Sequence, residues 1–289
     1  MGYVDDAFAK LKRTLEITKA EEQLASRRHN EIRDHVCAHL QVVRHFLTGS
    51  YKRETKTKKL KDVDIFFVID STGADADLRD LTPDQALQRI ADILKKKYTT
   101  VTIGRRSCTI EFDTEEEIVS FDIVPAFDRD GGGYVIPDRI SGQWVGTDPT
   151  VHAAKATAKN AACDGKWIPF VKMVKGYNRE AGKPVRPSFL LEVMALDLVK
   201  EPFGRYQDEM RWFLASAADR ITDVWPDPAG LGPDVNSSMT SAEKQQAATA
   251  LREALAIAET AIRLEDDGHE RAAVEEWRKL FGWRMPRPW

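Results

Sequence analysis

Asp62, Asp64 and Asp122 are the side chains of this 289-residue sequence whose type and spacing could do chemistry. Asp62 and Asp64 flank Val63 at the head of Val63-Asp64-Ile65-Phe66-Phe67-Val68-Ile69, which its β-branched and aromatic content marks as a strand. Side chains alternate along a strand, so Asp62, Asp64, Phe66 and Val68 share one face, while Val63, Ile65, Phe67 and Ile69 share the other. In the segment 117–124 the same alternation groups Ile118, Ser120, Asp122 and Val124 opposite Val119, Phe121 and Ile123. If the two strands are neighbours in a sheet, three carboxylates converge on the face away from the core. Like charges so placed raise one another's pKa, which makes sense only if a cation neutralises them. An all-oxygen donor set selects hard divalent ions, Mg²⁺ or Mn²⁺. Two such ions, about 4 Å apart, can hold a triphosphate and activate a hydroxyl for in-line attack.

Upstream of the acids stands Gly49-Ser50, followed by a polar segment with six basic residues: Lys52, Arg53, Lys56, Lys58, Lys59 and Lys61. Glycine lets a backbone approach phosphate closely. Serine can cap a short helix and donate to phosphate oxygens. Lys52 and Arg53, next to Ser50, are the basic residues expected to meet nucleotide; the others read as a solvated loop.

The elements that must position these residues follow from pattern. Apolar residues from Phe8 to Leu40 recur at helical spacing without proline, so one long N-terminal helix, with a bend allowed, is expected from about Asp5 to His39. Val42–Leu47 reads as a short strand. Thr82-Pro83-Asp84 opens a helix to about Lys97. Thr99–Phe112 and Glu117–Val124 read as a hairpin around Asp113-Thr114-Glu115-Glu116, and 128–133 as a loop. Beyond Thr147-Asp148-Pro149 the pattern turns helical, over 149–163, 167–180, 187–200 and 204–222. After the irregular Pro226–Pro233 stretch, Thr240 with Glu243 forms a capping box. Helices then run to about Leu264 and over 267–280. Strands first and helices second make an α+β plan. The expected division is a catalytic lobe with a mixed sheet and the N-terminal helix over 1–146, and a helical C-terminal lobe over 147–289, the long helix bridging both.

Gly49-Ser50 followed by Asp62-Val63-Asp64-Ile65 in a strand, with a third acid on a nearby strand, resembles the signature of the DNA polymerase beta nucleotidyltransferases. The longer run from Gly49-Ser50-Tyr51-Lys52-Arg53-Glu54-Thr55 to Ile65 is similar to the CD-NTases, bacterial relatives of cyclic GMP-AMP synthase and oligoadenylate synthase found in CBASS anti-phage operons. Phe121-Asp122-Ile123-Val124-Pro125-Ala126, the helical stretch Ile168–Asn178, Ser188-Phe189-Leu190-Leu191-Glu192 and the Asp227-Pro228-Ala229-Gly230 loop with Asp234-Val235-Asn236 carry the same likeness. The resemblance implies a polymerase-beta-like fold in which Asp62 and Asp64 bind both metals. Asp122 would complete one metal site and help activate the attacking hydroxyl, and Gly49 and Ser50 would hold the triphosphate. It further implies that Lys175, or Lys172 one turn earlier, reaches a donor phosphate, that Ser188 adds a hydrogen bond, and that Phe189 stacks on a base without the hydroxyl that tyrosine supplies in relatives. Nucleoside triphosphates, ATP among them, would be the substrates. A regulatory protein encoded nearby would be a partner.

Bulk properties bound these readings. A net charge of −3 with 42% hydrophobic and 31% charged residues describes a globular chain and argues against a general nucleic-acid coat. Cys37, Cys108 and Cys163 are scattered and odd in number, which indicates neither a disulfide framework nor a thiolate zinc site and fits a reducing cytoplasm. No run approaches the roughly 20 apolar residues of a membrane span, and no signal pattern opens the sequence. His35 and His39 lack further ligands, and Gly131-Gly132-Gly133 lacks the context of a phosphate loop. The expected activity is the joining of nucleoside triphosphates into a cyclic di- or trinucleotide with release of pyrophosphate. Tailing of an RNA end is the rival, and would need a basic track where residues 240–289 mix signs. A silent, binding-only relative would be expected to lack one of the three acids.

Overall fold

The computed structural model describes residues 2–58, 60, 62–112 and 119–288. They pack as two compact units: Ile17–Ala153 with Ala229–Gly232, and Met1–Glu16 with Ala154–Pro228 and Pro233–Trp289.

The expected single N-terminal helix is two. Helix α1 (Tyr3–Leu15) buries Val4, Ala7, Phe8, Leu11 and Leu15, one stripe at helical spacing, in the core of the helical unit. Helix α2 (Lys19–Cys37) buries Ala25, Ile32 and Val36 in the core of the sheet unit. Between them Thr18 is extended and caps α2: its side chain accepts from the Glu21 N–H at 3.2 Å, while Glu21 accepts from the Thr18 N–H at 2.7 Å. This capping box satisfies donors that a continuous helix would have bonded internally, and so stabilises the break.

Strand β1 (Val42–Leu47) runs antiparallel to β2 (Val63–Ile69), with the short α3 (Gly49–Lys52) between them in sequence. Helix α4 (Pro83–Lys95) starts at the Thr82 cap, with proline in its first turn. Then come β3 (Val101–Ile103), β4 (Cys108–Phe112), β5 (Val119–Asp128), β6 (Tyr134–Asp138) and β7 (Gln143–Thr147). The sheet order is β1-β2-β5-β4-β3, with β6 on β5 and β7 on β6; only β2 and β5 pair in parallel. The sheet is therefore mixed, as expected.

Three strand expectations need correction. The segment 99–112 is not one strand: the Gly104 N–H donates to the Ser107 carbonyl at 2.8 Å, closing a turn between β3 and β4. Strand β5 runs on past Val124 to Asp128, because β6 supplies a further partner at Phe127 and Asp128. The hairpin β6–β7 is additional, and it changes the acid-bearing face: Phe66, Val68, Val124 and Ala126 are buried there with Ile136. Beyond Asp64, both faces of β2 are thus covered. The expected turn at 113–116, with Glu117 and Ile118, lies outside the described residues, as do Lys59 and Lys61.

The helical unit contains α6 (Trp167–Glu180), α7 (Ser188–Leu198), α8 (Tyr206–Arg220), α9 (Ser241–Asp266) and α10 (Glu270–Phe281); α5 (Pro149–Ala162) spans the boundary at residue 153. These fall within a few residues of the expected spans, and Thr240 caps α9 through its box with Glu243. Phe8 meets Trp277 edge to face at 5.1 Å, with Phe281 at 6.1 Å on the same ring. No helix among the described residues is long and apolar enough to cross a membrane.

Glu21 does more than cap. Its side chain is fully buried, and its second oxygen accepts from the Leu60 N–H at 3.0 Å, fixing the segment that leads into Asp62. Glu21→Ala removes the box and leaves the Leu60 donor buried without that acceptor. Urea unfolding should show a loss of about 2 kcal/mol; an unchanged midpoint would mean that water replaces the carboxylate.

Candidate active site

The parallel register of β2 and β5 sets Asp64 directly beside Asp122. Both are half-buried. Asp62 lies one residue before β2 with φ 52°, a left-handed conformation that costs a non-glycine residue roughly 1–2 kcal/mol. Ser120 holds it there: this buried hydroxyl accepts from the Asp62 N–H and donates to Asp62 Oδ1, both at 2.8 Å. Ser120 is two residues before Asp122 on the same face of β5. That placement was visible in the sequence, though not its partner.

Gly49 follows β1, where the Thr48 N–H donates to the Asp64 carbonyl at 2.9 Å. The chain passes so close over Asp64 that a Cβ at Gly49 would run into the Asp64 carboxylate, and Gly49 has φ 63°. Glycine is required here on both counts. Thr48, not Ser50, is the N-cap residue of α3, with Ser50 in its first turn. Lys52 is exposed and Arg53 half-buried. Lys56, which the sequence had grouped with a solvated loop, reaches an acid: its Nζ is 3.9 Å from Asp62 Oδ2.

Asp122 is held through one oxygen. Ser107 Oγ donates to its Oδ1 at 3.2 Å, and Thr109, its register partner on β4, donates to the same atom. Burial raises the Asp122 pKa, as does the charge of Asp62, while the Thr109 and Ser107 hydroxyls hold it down. Asp64 is pushed up to about 7, first by burial and then by the charge of Asp122, against the opposing pull of Lys56 and Arg53.

Two observations fit these residues to a divalent cation. The donor set is all oxygen, and burial, with the charge of Asp122 beside it, keeps Asp64 from ionising at its ordinary pH, a penalty that a cation offsets. Among the described residues no three acidic, histidine or cysteine side chains are yet arranged so as to hold a metal ion together. Asp62 is engaged by Ser120 and Lys56, so an arriving cation would compete with both.

The other expected residues lie in the helical unit. Lys172 and Lys175 project from α6 and are buried, Lys172 in an ion pair with Glu16 and Lys175 with Glu192 at 2.6 Å. Ser188 is exposed at the first position of α7, and Phe189 is half-buried against the helical core. The structure thus gathers Gly49, Ser50, Arg53, Lys56, Asp62, Asp64 and Asp122 in the sheet unit, and Lys172, Lys175, Ser188 and Phe189 on α6 and α7.

Two measurements follow from this electrostatic arrangement. Because the folded-state pKa of Asp64 is above the unfolded one, its contribution to metal-free stability is full below about pH 4 and is lost as pH rises to about 7. Asp64→Asn should therefore melt higher than the parent in EDTA at pH 8, by roughly 1–3 kcal/mol. The gap should close towards pH 4, and Mg²⁺ should stabilise the parent alone. A variant that melts lower at pH 8 would contradict the repulsion. Lys175→Ala leaves Glu192 buried without its ammonium, and chemical denaturation should show a loss of about 3–5 kcal/mol; a change confined to nucleotide affinity would instead assign Lys175 to the ligand.

Comparison with known proteins bears on this geometry. The family model of the Second Messenger Oligonucleotide or Dinucleotide Synthetase domain matches residues 1–160. The cyclic AMP-AMP-AMP synthase of Acinetobacter sp. (strain ATCC 27244 / 9458) is 29% identical over 282 residues, covering 90% of this chain and 78% of that protein. The Bradyrhizobium diazoefficiens CD-NTase CdnG, solved in complex with GTP, superposes with a TM-score of 0.79 at 15% identity, over 98% of this chain and 97% of that one. CdnC of E. coli MS115-1, solved in its HORMA-deltaN complex, gives a TM-score of 0.74 at 18% identity over 98% of each chain. These two likenesses show that the fold is that of the CD-NTases, with a polymerase-beta-like sheet and a helical C-terminal lobe. This chain belongs to the family of Second Messenger Oligonucleotide or Dinucleotide Synthetases and is a nucleotidyltransferase.

Proposed function

We propose that this enzyme joins nucleoside triphosphates, ATP among them, into a di- or trinucleotide ring with release of pyrophosphate, as a signal in bacterial anti-phage defence. The observation that carries the proposal is the parallel register of Asp64 and Asp122, with Gly49 passing directly over the Asp64 carboxylate. The name of the Acinetobacter relative supports ATP as a substrate.

Asp62, Asp64 and Asp122 are assigned to two Mg²⁺ or Mn²⁺ ions, which when bound would neutralise the triphosphate and lower the pKa of the attacking hydroxyl. Gly49 admits the triphosphate close to Asp64, and Ser50 donates to it; Lys52, Arg53 and Lys56 draw the polyanion inward. Asp122, already hydrogen-bonded at Oδ1, accepts the hydroxyl proton at Oδ2. The hydroxyl oxygen bonds to the α-phosphorus, and the bond from that phosphorus to pyrophosphate breaks. A linear intermediate that stays bound then meets its own triphosphate with its own terminal hydroxyl, and closure is intramolecular at the same carboxylates. On α6 and α7, Lys172, Lys175, Ser188 and Phe189 are the family's donor-nucleotide positions, the lysines ordered by their ion pairs with Glu16 and the buried Glu192. A regulatory protein partner accords with the HORMA complex of the E. coli relative.

Incubation with all four nucleoside triphosphates and Mg²⁺, followed by alkaline phosphatase and mass spectrometry, tests the proposal. The expected product resists phosphatase, forms without RNA, and is absent with Asp122→Asn. A phosphatase-sensitive ladder, or transfer only onto added RNA, would favour end-tailing instead.

A further inference from the structure

Of the two hydroxyls that hold Asp122, Thr109 is fixed by the sheet, since it is paired in register with Asp122. Ser107 is not. It closes the turn between β3 and β4 and takes part in neither ladder. Something beyond the β3–β4 and β4–β5 ladders must set its position, because two residues of free turn would let its hydroxyl swing away from Asp122.

Asp138, the last residue of β6, meets that need. Its side chain is wholly buried. Arg105 Nε donates to its Oδ1 at 2.8 Å, and the Arg105 guanidinium nitrogen Nη2 is 2.7 Å from Oδ2. Arg106 donates to Oδ2 through Nε at 2.9 Å and lies 2.7 Å away through Nη2. Both central residues of the Gly104–Ser107 turn are therefore clamped on one carboxylate by fork-shaped, charge-assisted contacts. The Arg139 N–H, one residue further, donates to the Arg105 carbonyl at 3.0 Å. Asp138 is in turn fixed by the N–H groups of Ile140 and Ser141, at 3.1 and 3.4 Å. The contacts run without a gap from the β6–β7 hairpin through the turn to Asp122 Oδ1, all within the sheet unit.

We propose that Asp138 is a positioning residue for Asp122, acting through Arg105, Arg106 and Ser107; this rests on the reading of Asp122 as a metal-binding carboxylate. The clamp holds Ser107 on Oδ1, and so holds the orientation in which Oδ2 carries no hydrogen bond among the described residues. A neutral side chain at 138 would turn amide hydrogens towards two guanidinium groups and release the turn.

The test uses the full chain and reads turnover, nucleotide KM and half-saturating Mg²⁺. Asp138→Asn should lower turnover roughly 10- to 100-fold and raise the Mg²⁺ requirement about tenfold, with a much smaller change in KM. Ser107→Ala should do the same, and the double variant should be little worse than either single one. Multiplying effects in the double variant would overturn the proposal. So would an Asp138→Asn chain with parental turnover and Mg²⁺ dependence but a lower melting temperature, since that describes a purely structural residue. Should Asp138→Asn fail to fold, the same cycle is run with Arg106→Gln, whose guanidinium is about one-third exposed. Asp122→Asn separates the two readings: if it remains active, the site assignment fails. If it is inactive while the Asp138 and Ser107 effects multiply, only this inference fails.

Discussion

Negative charge forced together at the junction of β2 and β5 governs the sheet unit. Parallel pairing puts Asp64 next to Asp122, and Asp62 lies just before the strand. Left alone, such a group would relax by turning outward or by taking up protons. Here it is restrained on every side: Ser120 fixes Asp62, Ser107 and Thr109 fix Asp122, and the Gly49 backbone sits over Asp64. The restraint costs stability in the absence of a cation, and that cost makes the site ready for one. Binding then releases a penalty that folding has already imposed, which is the physical meaning of a preorganised site.

The surrounding architecture can be understood as support for that restraint. Edge strand β1 brings the Gly49 turn alongside β2, and β4 supplies Thr109 from the other flank. The buried Glu21, on a helix of the same unit, anchors the Leu60 backbone and so the approach to Asp62. Hairpin β6–β7 covers the apolar remainder of the acid-bearing face, so that water reaches the carboxylates without reaching Phe66 or Val124.

The acids were legible in the sequence because strand periodicity alone determines which face Asp64 and Asp122 share, and an Asp-Val-Asp at the head of an apolar run stands out. Most helices of the second half were legible from their pattern, and α9 also from its Thr240 cap. What escaped was whatever depends on contacts distant in sequence. Lys56 looked like one solvated lysine among several, and Ser107 fell inside the stretch 99–112 that reads as a single strand. Strand β6 is short and contains Pro137, so its β signal was weak. The break at Thr18 did carry a signal, the Thr-x-x-Glu capping box, but helical periodicity on both sides concealed it. The ion pairs of the buried Lys172 and Lys175 could not have been inferred from residue type, because Glu16 and Glu192 lie elsewhere in the chain.

The break before Thr18 also has a bearing on how the chain is made. Helix α1 is made well before its partners, since Phe8 packs against Trp277 and Phe281 from the far side of the sheet unit in sequence. The residues between include almost the whole sheet unit, whose strands are contiguous in synthesis and can pair while the rest is still being translated. The apolar stripe of α1 must stay partly unsatisfied, and open to chaperones, until α10 arrives to pack against it. The paired carboxylates of β2 and β5 can thus be assembled before α10 seals the helical core.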